Sequence, residues 1–552
     1  MNPKGMNAAS ISNLVREGEG LAWGMFLGTI KLHFTAWDWA VLIGYLVLTT
    51  WVGHKMSGKQ ASIKDFFLGG RTLPWWAVSG SMIATEISAL TFIGVPGIVF
   101  GLQGDWTYLQ WGLGSMVARF AVAYWLIPLY YEKEIYSPYD FMGNRLGSKV
   151  KTLVTGLFSM GSVLGQSVRV LVTAIILREV TDMPVELCIV VIGIVAVIWT
   201  LMGGMQTVIW TDVMQFCLFI FGGLLAMFLL VKGLGWSEIV SLNQVVVDGV
   251  AIDKMRFLDL TSPFDKPELR YTLWVGLLAM PFQNFTAFGV DQLNTQRMFC
   301  CGNVKDARKA MCWSSVSLLI TMLMLAVGSG LFAWYQQFPP EAALAAKFSD
   351  SPNNVFPAWI VREVPVGLSG LILAAAFAAA ISSLDSILAA LSQTSLSVIY
   401  GQERMEEEGQ GKRMVKISRI AVLIWGVVLT LAALLLWVIY KRNEDSDLIG
   451  LAFGMVAYTY GPLLGVLLAA LIPWRSSGAG LVVGTCLSVL TVAYFRPELI
   501  SILEIVKLNG LAEILIESRP KLTSEWFFPV NAIVTLACGL IGGKLKRPRS
   551  PR

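Results

Sequence analysis

Long apolar stretches separated by short polar loops run through this sequence of 552 residues. A membrane-spanning helix needs about 20 consecutive, mainly apolar residues. About thirteen stretches approach or exceed that length, so the pattern predicts an all-α polytopic membrane protein with about thirteen transmembrane helices. They cover roughly 37–54, 74–100, 107–131, 152–177, 184–203, 207–231, 272–290, 312–335, 365–400, 420–440, 448–473, 478–495 and 526–543. The stretch 365–400 is too long for one straight span, which predicts a tilted helix or one that extends into water.

The composition agrees with a membrane location. Hydrophobic residues make up 55% of the chain and charged residues 14%, whereas soluble proteins carry about 25% charged residues. The seven cysteines have no metal-ligand spacing and the two histidines form no HExxH motif. We therefore expect neither a disulfide scaffold nor a zinc hydrolase, and no enzyme of another kind. Basic residues occur in short clusters rather than on one face, so no nucleic-acid partner is expected.

The distribution of Lys and Arg predicts the orientation, because cytoplasmic loops are richer in these residues. If the N-terminal segment 1–36 lies outside, the loop 401–419 and the tail 544–552 lie inside, and both are dense in basic residues. The segment 335–364 then lies outside and carries only two. We expect an integral protein of the plasma (bacterial inner) membrane, with the N-terminus outside and the C-terminus in the cytoplasm.

Ionisable residues inside apolar spans are costly, which makes each one a candidate functional residue. Five lie within the predicted spans: Glu86, Arg119, Arg169, Asp212 and Asp385. The alternative interpretation is an internal ion pair, or a charge close enough to a span end to reach water.

The surroundings of Asp385 favour ion binding. Residues three or four positions apart share a helix face, so Ser382, Asp385 and Ser386 lie together. Their hydroxyl and carboxylate oxygens are the ligands that a hard cation such as sodium prefers. Serines alone are often helix-packing residues, but an aspartate among them favours an ion site.

Helix-breaking sequences occur in two spans. Gly94-Val95-Pro96-Gly97 interrupts the second predicted span and Pro281 the seventh. If the first span is set aside, these are the first and sixth of the next ten. Discontinuous helices at corresponding positions of two halves are typical of transporters with a midplane binding site. The predicted organisation is an extracytoplasmic segment 1–36, an additional span 37–54, two five-helix inverted repeats 74–231 and 272–473, two C-terminal spans within 478–543 and a tail 544–552.

Short motifs spread over most of the chain resemble the sodium:solute symporter family, which includes sodium–glucose, proline and sialic acid symporters. They are DFFLGGRTLP at 65–74, IATEISA at 83–89, YDF at 139–141 with NRLG at 144–147, WTDVMQ at 210–215, GVDQ at 289–292 with QR at 296–297, SSLDS at 382–386 and GPLLG at 461–465. The resemblance implies a LeuT-like five-plus-five inverted-repeat core. It implies sodium-coupled import of a small polar organic solute (a sugar, sialic acid or other carboxylate) by alternating access, with no obligate protein partner. The alternative function is a transporter-like membrane sensor that acts with a separate signalling partner.

The resemblance also implies where sodium binds. One ion is expected between core spans 1 and 8, held by the carbonyls of Ala84, Ile87 and Ala379 and the hydroxyls of Ser382 and Ser383. A second ion, present in some members, would use Asp212, Ser382, Asp385 and Ser386. Asp385 stands where some members have serine. It either strengthens sodium binding or is neutralised by a proton or by Arg169, so the ion count stays open.

The solute is expected between core spans 1, 2, 3, 6 and 10. Ser88, Thr91 and Gln110 match substrate-contacting positions of sialic acid symporters. Arg169 lies in core span 3, where those members hold the carboxylate with an arginine, although about one turn from the matching position. Arg169 could instead pair with Asp212 or Asp385. The remaining candidates are Asp291 and Phe285 as binding residues, and Trp106, Phe285 and Phe288 as apolar gates.

Overall fold

The structure is a computed structural model. It describes residues 35–544 apart from 57–62, 134, 136, 182, 203, 248, 402–410, 442–447 and most of 497–521. The expected N-terminal segment 1–36 and tail 544–552 therefore fall almost wholly outside the described residues.

The first half of the described chain is mainly helical, with one hairpin followed by an irregular segment that runs to residue 272. Its helices are α1 (Ala36–Met56), α2 (Ile63–Leu68), α3 (Trp75–Glu86), α4 (Ala89–Phe100), α5 (Gln110–Ala121), α6 (Ile127–Glu132), α7 (Pro138–Leu146), α8 (Ser148–Thr181), α9 (Val185–Met202), α10 (Met205–Leu234) and α11 (Trp236–Leu242). Strands β1 (Gln244–Val247) and β2 (Val250–Asp253) pair antiparallel.

The second half is also helical. Its helices are α12 (Met280–Gly289), α13 (Gln292–Met298), α14 (Val304–Trp313), α15 (Ser317–Gln337), α16 (Ala342–Asp350), α17 (Val355–Glu363), α18 (Leu368–Tyr400), α19 (Gly411–Tyr440), α20 (Leu448–Leu471), α21 (Gly478–Phe495) and α22 (Phe527–Lys544). Short 3₁₀ or π turns join α4 to α5 (Trp106–Leu109), α5 to α6 (Val122–Leu126) and α14 to α15 (Ser314–Val316), and precede α12 (Val275–Ala279).

The helices agree closely with the predicted spans. Each of the thirteen predicted stretches falls on helix, and in the described residues ten helices are long and apolar enough to cross a membrane, or eleven if one bent pair counts as a span. The stretches 184–203 and 272–290 fall on shorter helical segments, so the number thirteen stays a prediction. The long stretch 365–400 forms one continuous helix, α18. Within its 18-residue apolar segment, 93% of the residues are buried inside the protein.

The first break lies elsewhere than predicted. The chain leaves helical geometry at Ile87 (ψ 110°) and Ser88 (ψ 178°), and α3 and α4 meet there at 56°. Pro96 instead lies inside α4. The Ser88 hydroxyl accepts from the amide of Leu90 and so caps α4, whereas α4 continues through Pro96 to Phe100. The cap therefore locates the break better than the proline does.

The second break is likewise displaced from Pro281. This proline follows a π turn inside a continuous helical stretch from 273 to 289, and the wider π turn accommodates a proline without ending the helix. The chain leaves the helix at Val290 and Asp291, and the Asp291 carboxylate caps α13 through the amide of Leu293 at 2.8 Å. Both breaks thus end at a capping side chain.

The hairpin loop holds the far end of α4. Lys254, which follows β2, is fully buried and donates to the carbonyls of Gly101 at 2.6 Å and Gly104 at 3.0 Å. Its ammonium lies 4.4 Å from the ring of Phe332. Burial lowers the pKa of Lys254 to about 8. Since helices end in unpaired carbonyls, this lysine supplies the donors that the end of α4 lacks.

The additional helix α1 is attached to the start of α18. The fully buried carboxylate of Asp38 accepts from the amides of Gly367 at 2.8 Å and Gly370 at 3.1 Å, and from the hydroxyl of Ser369. A carboxylate at a helix N-terminus satisfies its free amides and its partial positive charge. Asp38 therefore fixes the position of the helix that carries the predicted sodium ligands.

We expect Asp38→Ala to lower the free energy of unfolding by about 2 kcal/mol, because it leaves the buried amides at the start of α18 without an acceptor. Asp38→Asn keeps one acceptor oxygen and should lose clearly less. Thermal unfolding of the purified protein in detergent measures both. Equal losses for the two variants would contradict the capping role.

Candidate ion and solute site

A cavity of about 210 Å³ lies beside the break between α3 and α4. Its walls come from α5, α8, α12, α15 and α20, and four charged residues line it: Glu86, Arg119, Arg169 and Asp291. Tyr108, Trp111 and Phe453 also line it, with the rings of Trp111 and Phe453 4.8 Å apart. The helix break, which carries free backbone groups, therefore opens onto a charged pocket inside the protein.

Four of the six predicted solute-binding residues line this cavity, namely Ser88, Thr91, Arg169 and Asp291. Gln110 does not. Its amide donates to the carbonyl of Tyr271 at 2.9 Å and accepts from the amide of Asp259 at 3.3 Å, so its polar atoms hold a loop. Trp111, one position further on, lines the cavity instead.

Phe285 also lies outside the cavity lining, whereas Phe288, one helical turn later, belongs to it. Trp106 lies outside as well, and its indole N–H donates to the hydroxyl of Ser329. Of the predicted residues, Gln110, Phe285 and the predicted gate residue Trp106 therefore lie outside the lining of this cavity, and their roles stay predictions.

Arg169 lies at the end of α3. Its Nη1 donates to the carbonyl of Thr85 at 3.3 Å and lies 3.5 Å from Oε1 of Gln166. The last turn of a helix carries free carbonyls and partial negative charge, which attract a guanidinium. Neither Asp212 nor Asp385 is a hydrogen-bond partner of Arg169 among the described residues, and its side chain faces the cavity.

Asp291, in the cavity wall, has both carboxylate oxygens occupied. Oδ2 accepts from the hydroxyl of Tyr460 at 2.6 Å, and Oδ1 accepts from the amide of Leu293. In the sequence, only the motif GVDQ at 289–292 indicated Asp291 as a candidate. The structure adds Tyr460 on α20, so two core helices meet at this hydrogen bond.

Asp212 pairs with Arg297, a residue that the sequence analysis did not count among the charges in spans. Nη2 of Arg297 lies 3.1 Å from Oδ2 of Asp212, and both side chains are fully buried. The hydroxyl of Ser81 lies 2.5 Å from the same carboxylate oxygen and accepts from Nε of Arg297, while Nη2 also reaches Ser386. The motif QR at 296–297 was visible, but it lay in a predicted loop.

A guanidinium therefore lies between Asp212 and Ser386, where the resemblance placed a second sodium. Asp385 is also buried, and its carboxylate accepts from the hydroxyl of Ser386 at 3.1 Å. Within the part of the chain that the structure describes, Asp385 forms no ion pair. Arg169, the expected neutralising residue, lies at the cavity instead.

The expected first sodium site lies where α3 ends beside α18. The amide of Ile87 closes the last turn on Ile83 at 2.9 Å, so the carbonyls of Ala84 and Ile87 lie at the free end of the helix. Ser383 is fully buried on α18. The side chains of Ala379 and Ser382 lie outside the described residues, although both positions belong to α18.

Glu86 and Arg119 form an ion pair at the cavity. Arg119 is buried, donates to the hydroxyl of Ser314 at 3.0 Å, and lies 4.2 Å from the ring of Phe288. For these two residues, the structure therefore agrees with the alternative interpretation, an internal ion pair.

Two helices broken at capped residues, meeting at a buried polar cavity in a bundle of apolar helices, define a secondary transporter of the membrane. The sequence pattern of the sodium:solute symporter family matches residues 66–486, and the chain belongs to that family. It is therefore a sodium-coupled solute symporter and not an enzyme, with sodium as the co-transported ion.

Known proteins agree with this assignment. The chain is 28% identical to the sodium/sialic acid symporter of Proteus mirabilis over 85% of its own length and 91% of the relative's. It is 26% identical to the sodium/glucose cotransporter of Vibrio parahaemolyticus, with 82% of each chain covered. A solved sodium-coupled sialic acid symporter in a substrate-bound, outward-open state has the same fold, with a TM-score of 0.75 at 24% identity over 93% of this chain and 99% of that one. These comparisons give no support to the sensor alternative.

We expect Arg297→Gln to lower the free energy of unfolding by about 3–5 kcal/mol, because it leaves a buried carboxylate without its counter-ion. The double variant Asp212→Asn with Arg297→Gln removes both charges and should recover much of that loss. Denaturant unfolding in detergent tests the pair. A double variant as unstable as the sum of the two single ones would contradict charge pairing.

Proposed function

We propose that the solute is a small polar organic molecule with a carboxylate group, imported together with sodium by alternating access. The observation that carries this is Arg169, whose guanidinium faces the cavity and has no carboxylate partner among the described residues. The Arg169 side chain is partly buried, and a guanidinium binds a carboxylate through two parallel hydrogen bonds. Sialic acid, named for the Proteus mirabilis relative, is one candidate.

We propose that one sodium ion binds between α3 and α18. Its ligands would be the carbonyls of Ala84, Ile87 and Ala379 and the hydroxyls of Ser382 and Ser383. The free carbonyl end of α3 carries partial negative charge, and the buried Ser383 lies on α18, which packs against α3. Such an ion would join the broken helix to α18, so sodium binding and the shape of the solute cavity would change together.

A second sodium would use Asp212, Asp385 and Ser386. The Arg297 guanidinium now pairs with Asp212 and reaches Ser386. We therefore propose that this second site fills only in a state of the cycle in which Arg297 has released Asp212. Asp385, which has no such pair, would be the ligand available first.

The driving force follows from the charge carried. Each sodium that moves down a membrane potential of about 100 mV contributes roughly 2.3 kcal/mol. This supports about 40-fold accumulation of solute at roughly 1.4 kcal/mol per tenfold.

We propose the topology predicted from the sequence, with two inverted repeats over 74–231 and 272–473. The N-terminus would lie outside and the C-terminus in the cytoplasm of a bacterial cell.

Ser383→Ala should raise the sodium concentration needed for half-maximal uptake at least fivefold, because it removes one oxygen ligand. Uptake of radiolabelled sialic acid and other carboxylates into proteoliposomes, with sodium replaced by choline to vary its concentration, measures this. Ser392→Ala, a buried serine further along α18, is the matched control and should leave the sodium dependence unchanged. Equal effects of both variants would remove Ser383 from the site.

Arg169→Gln should raise the KM for a carboxylate solute at least tenfold, with a smaller effect on the sodium dependence, because it removes the cation that faces the cavity. Arg178→Gln, at an exposed position of the same helix, serves as the control. An unchanged KM for every transported carboxylate would contradict the role of Arg169.

A further inference from the structure

We infer that the Glu86–Arg119 ion pair couples sodium binding to solute binding. This inference rests on the proposed function, and it adds Arg119 to the residues that would contact an anionic solute. Glu86 is the last residue of α3 and stands between Ala84 and Ile87, whose carbonyls are the proposed sodium ligands. The same side chain lines the solute cavity. One carboxylate therefore lies at the junction of the two sites.

The Arg119 side chain has a hydrogen-bond donor that an anionic solute would satisfy. Its side chain is 1% exposed, against 32% for that of Glu86. One terminal nitrogen bonds to Glu86 and the other to the hydroxyl of Ser314. Nε has no hydrogen-bond partner among the described residues, although the residue lines the cavity. A buried N–H without an acceptor costs free energy, and an anionic solute would supply the acceptor.

The pair also connects the helices that would have to move together. Glu86 belongs to α3, Arg119 to α5, and Ser314 to the turn that leads into α15. The Arg119 guanidinium lies over the ring of Phe288 on α12. A change in the charge of this pair therefore alters the electrostatic environment of both broken spans.

The coupling follows from electrostatics in a site of low polarity. The Glu86 carboxylate attracts a sodium ion at the end of α3, and the Arg119 cation opposes that attraction. When an anionic solute binds Arg119, the guanidinium is shared between two carboxylates, and the field of Glu86 at the sodium site grows. Sodium then binds more tightly in the presence of solute and, by linkage, the solute binds more tightly in the presence of sodium.

A purely structural ion pair makes a different prediction from a coupling pair. If the pair only holds α3 against α5, removal of either partner loosens the same contact and shifts both ligand affinities in the same direction. If the charges act on the ligands, Glu86→Gln and Arg119→Gln produce shifts of opposite sign. The sign pattern is independent of the size of any folding defect.

The first measurement is a sodium titration without solute. Thermal stabilisation of the purified protein by NaCl, at constant total salt with choline chloride, gives an apparent sodium constant. Glu86→Gln should raise this constant about fivefold or more, and Arg119→Gln should lower it. The double variant should return it toward that of the unaltered protein. Shifts of the same sign in the two single variants would overturn the inference.

The second measurement adds an anionic probe. Sialic acid at a saturating concentration should lower the apparent sodium constant of the unaltered protein, and this effect should disappear in the double variant. In uptake assays Glu86→Gln should lower the KM for sialic acid and Arg119→Gln should raise it. An undiminished effect of sialic acid on sodium binding in the double variant would overturn the coupling role.

The conservative variant Glu86→Asp covers the case in which Glu86→Gln does not fold. It keeps the charge and should retain the effect of sialic acid on the sodium constant, whereas loss of that effect would assign the pair a structural role.

Failure of the proposed function gives a separate result. In that case the unaltered protein itself would show no stabilisation by NaCl over choline chloride and no sodium-dependent uptake.

Discussion

A charge inside a membrane protein has no water to stabilise it, and this constraint shapes the structure. The buried carboxylate of Asp212 is balanced by Arg297, Glu86 by Arg119, and the free amides at the start of α18 by Asp38. The partners are 85 positions apart for Asp212 and Arg297, 33 for Glu86 and Arg119, and 329 for Asp38 and Gly367. The ion pairs and caps therefore determine which helices lie next to each other, in a bundle whose apolar surfaces alone give little preference.

Arg169 and Asp385 are two charged residues to which this balance does not extend. Neither forms an ion pair among the described residues, and both lie at positions proposed for ligands. Asp291 and Lys254 also form no ion pair among the described residues, but hydroxyl, amide or carbonyl partners satisfy them. Depth within a span alone does not mark a ligand position, because Asp212 and Arg119 are equally buried and are paired.

The sequence predicted the helices well and the site less well, for a physical reason. Membrane spans depend on average hydropathy over about 20 residues, so every predicted stretch falls on helix. A break depends on a single residue. Pro96 and Pro281 drew attention, yet the helices break at Ser88 and Asp291, whose side chains cap the next helix. Prolines are conspicuous in a sequence, whereas a capping role needs the neighbouring amides to be seen.

Side-chain pairing was the least predictable feature. Arg297 lay in a predicted loop, and nothing in its local sequence indicates that it reaches Asp212, 85 positions away. Gln110 and Phe285 belong to α5 and α12, two helices that line the cavity, but their own side chains do not line it. Contacts between elements depend on helix rotation, which a hydropathy pattern determines poorly when both sides of a helix are apolar.

The attachment of α1 to α18 has a consequence for the membrane around the protein. Only 22% of the residues in the 18-residue apolar segment of α1 are buried in the protein, so most of this helix faces lipid. Asp38 nevertheless joins it to α18, the most buried of the ten described spans. Any shift of α18 during the cycle therefore displaces lipid through α1. A helix that is exposed to lipid and joined to α18 in this way would transmit a change in bilayer thickness to the helix that carries the proposed sodium ligands.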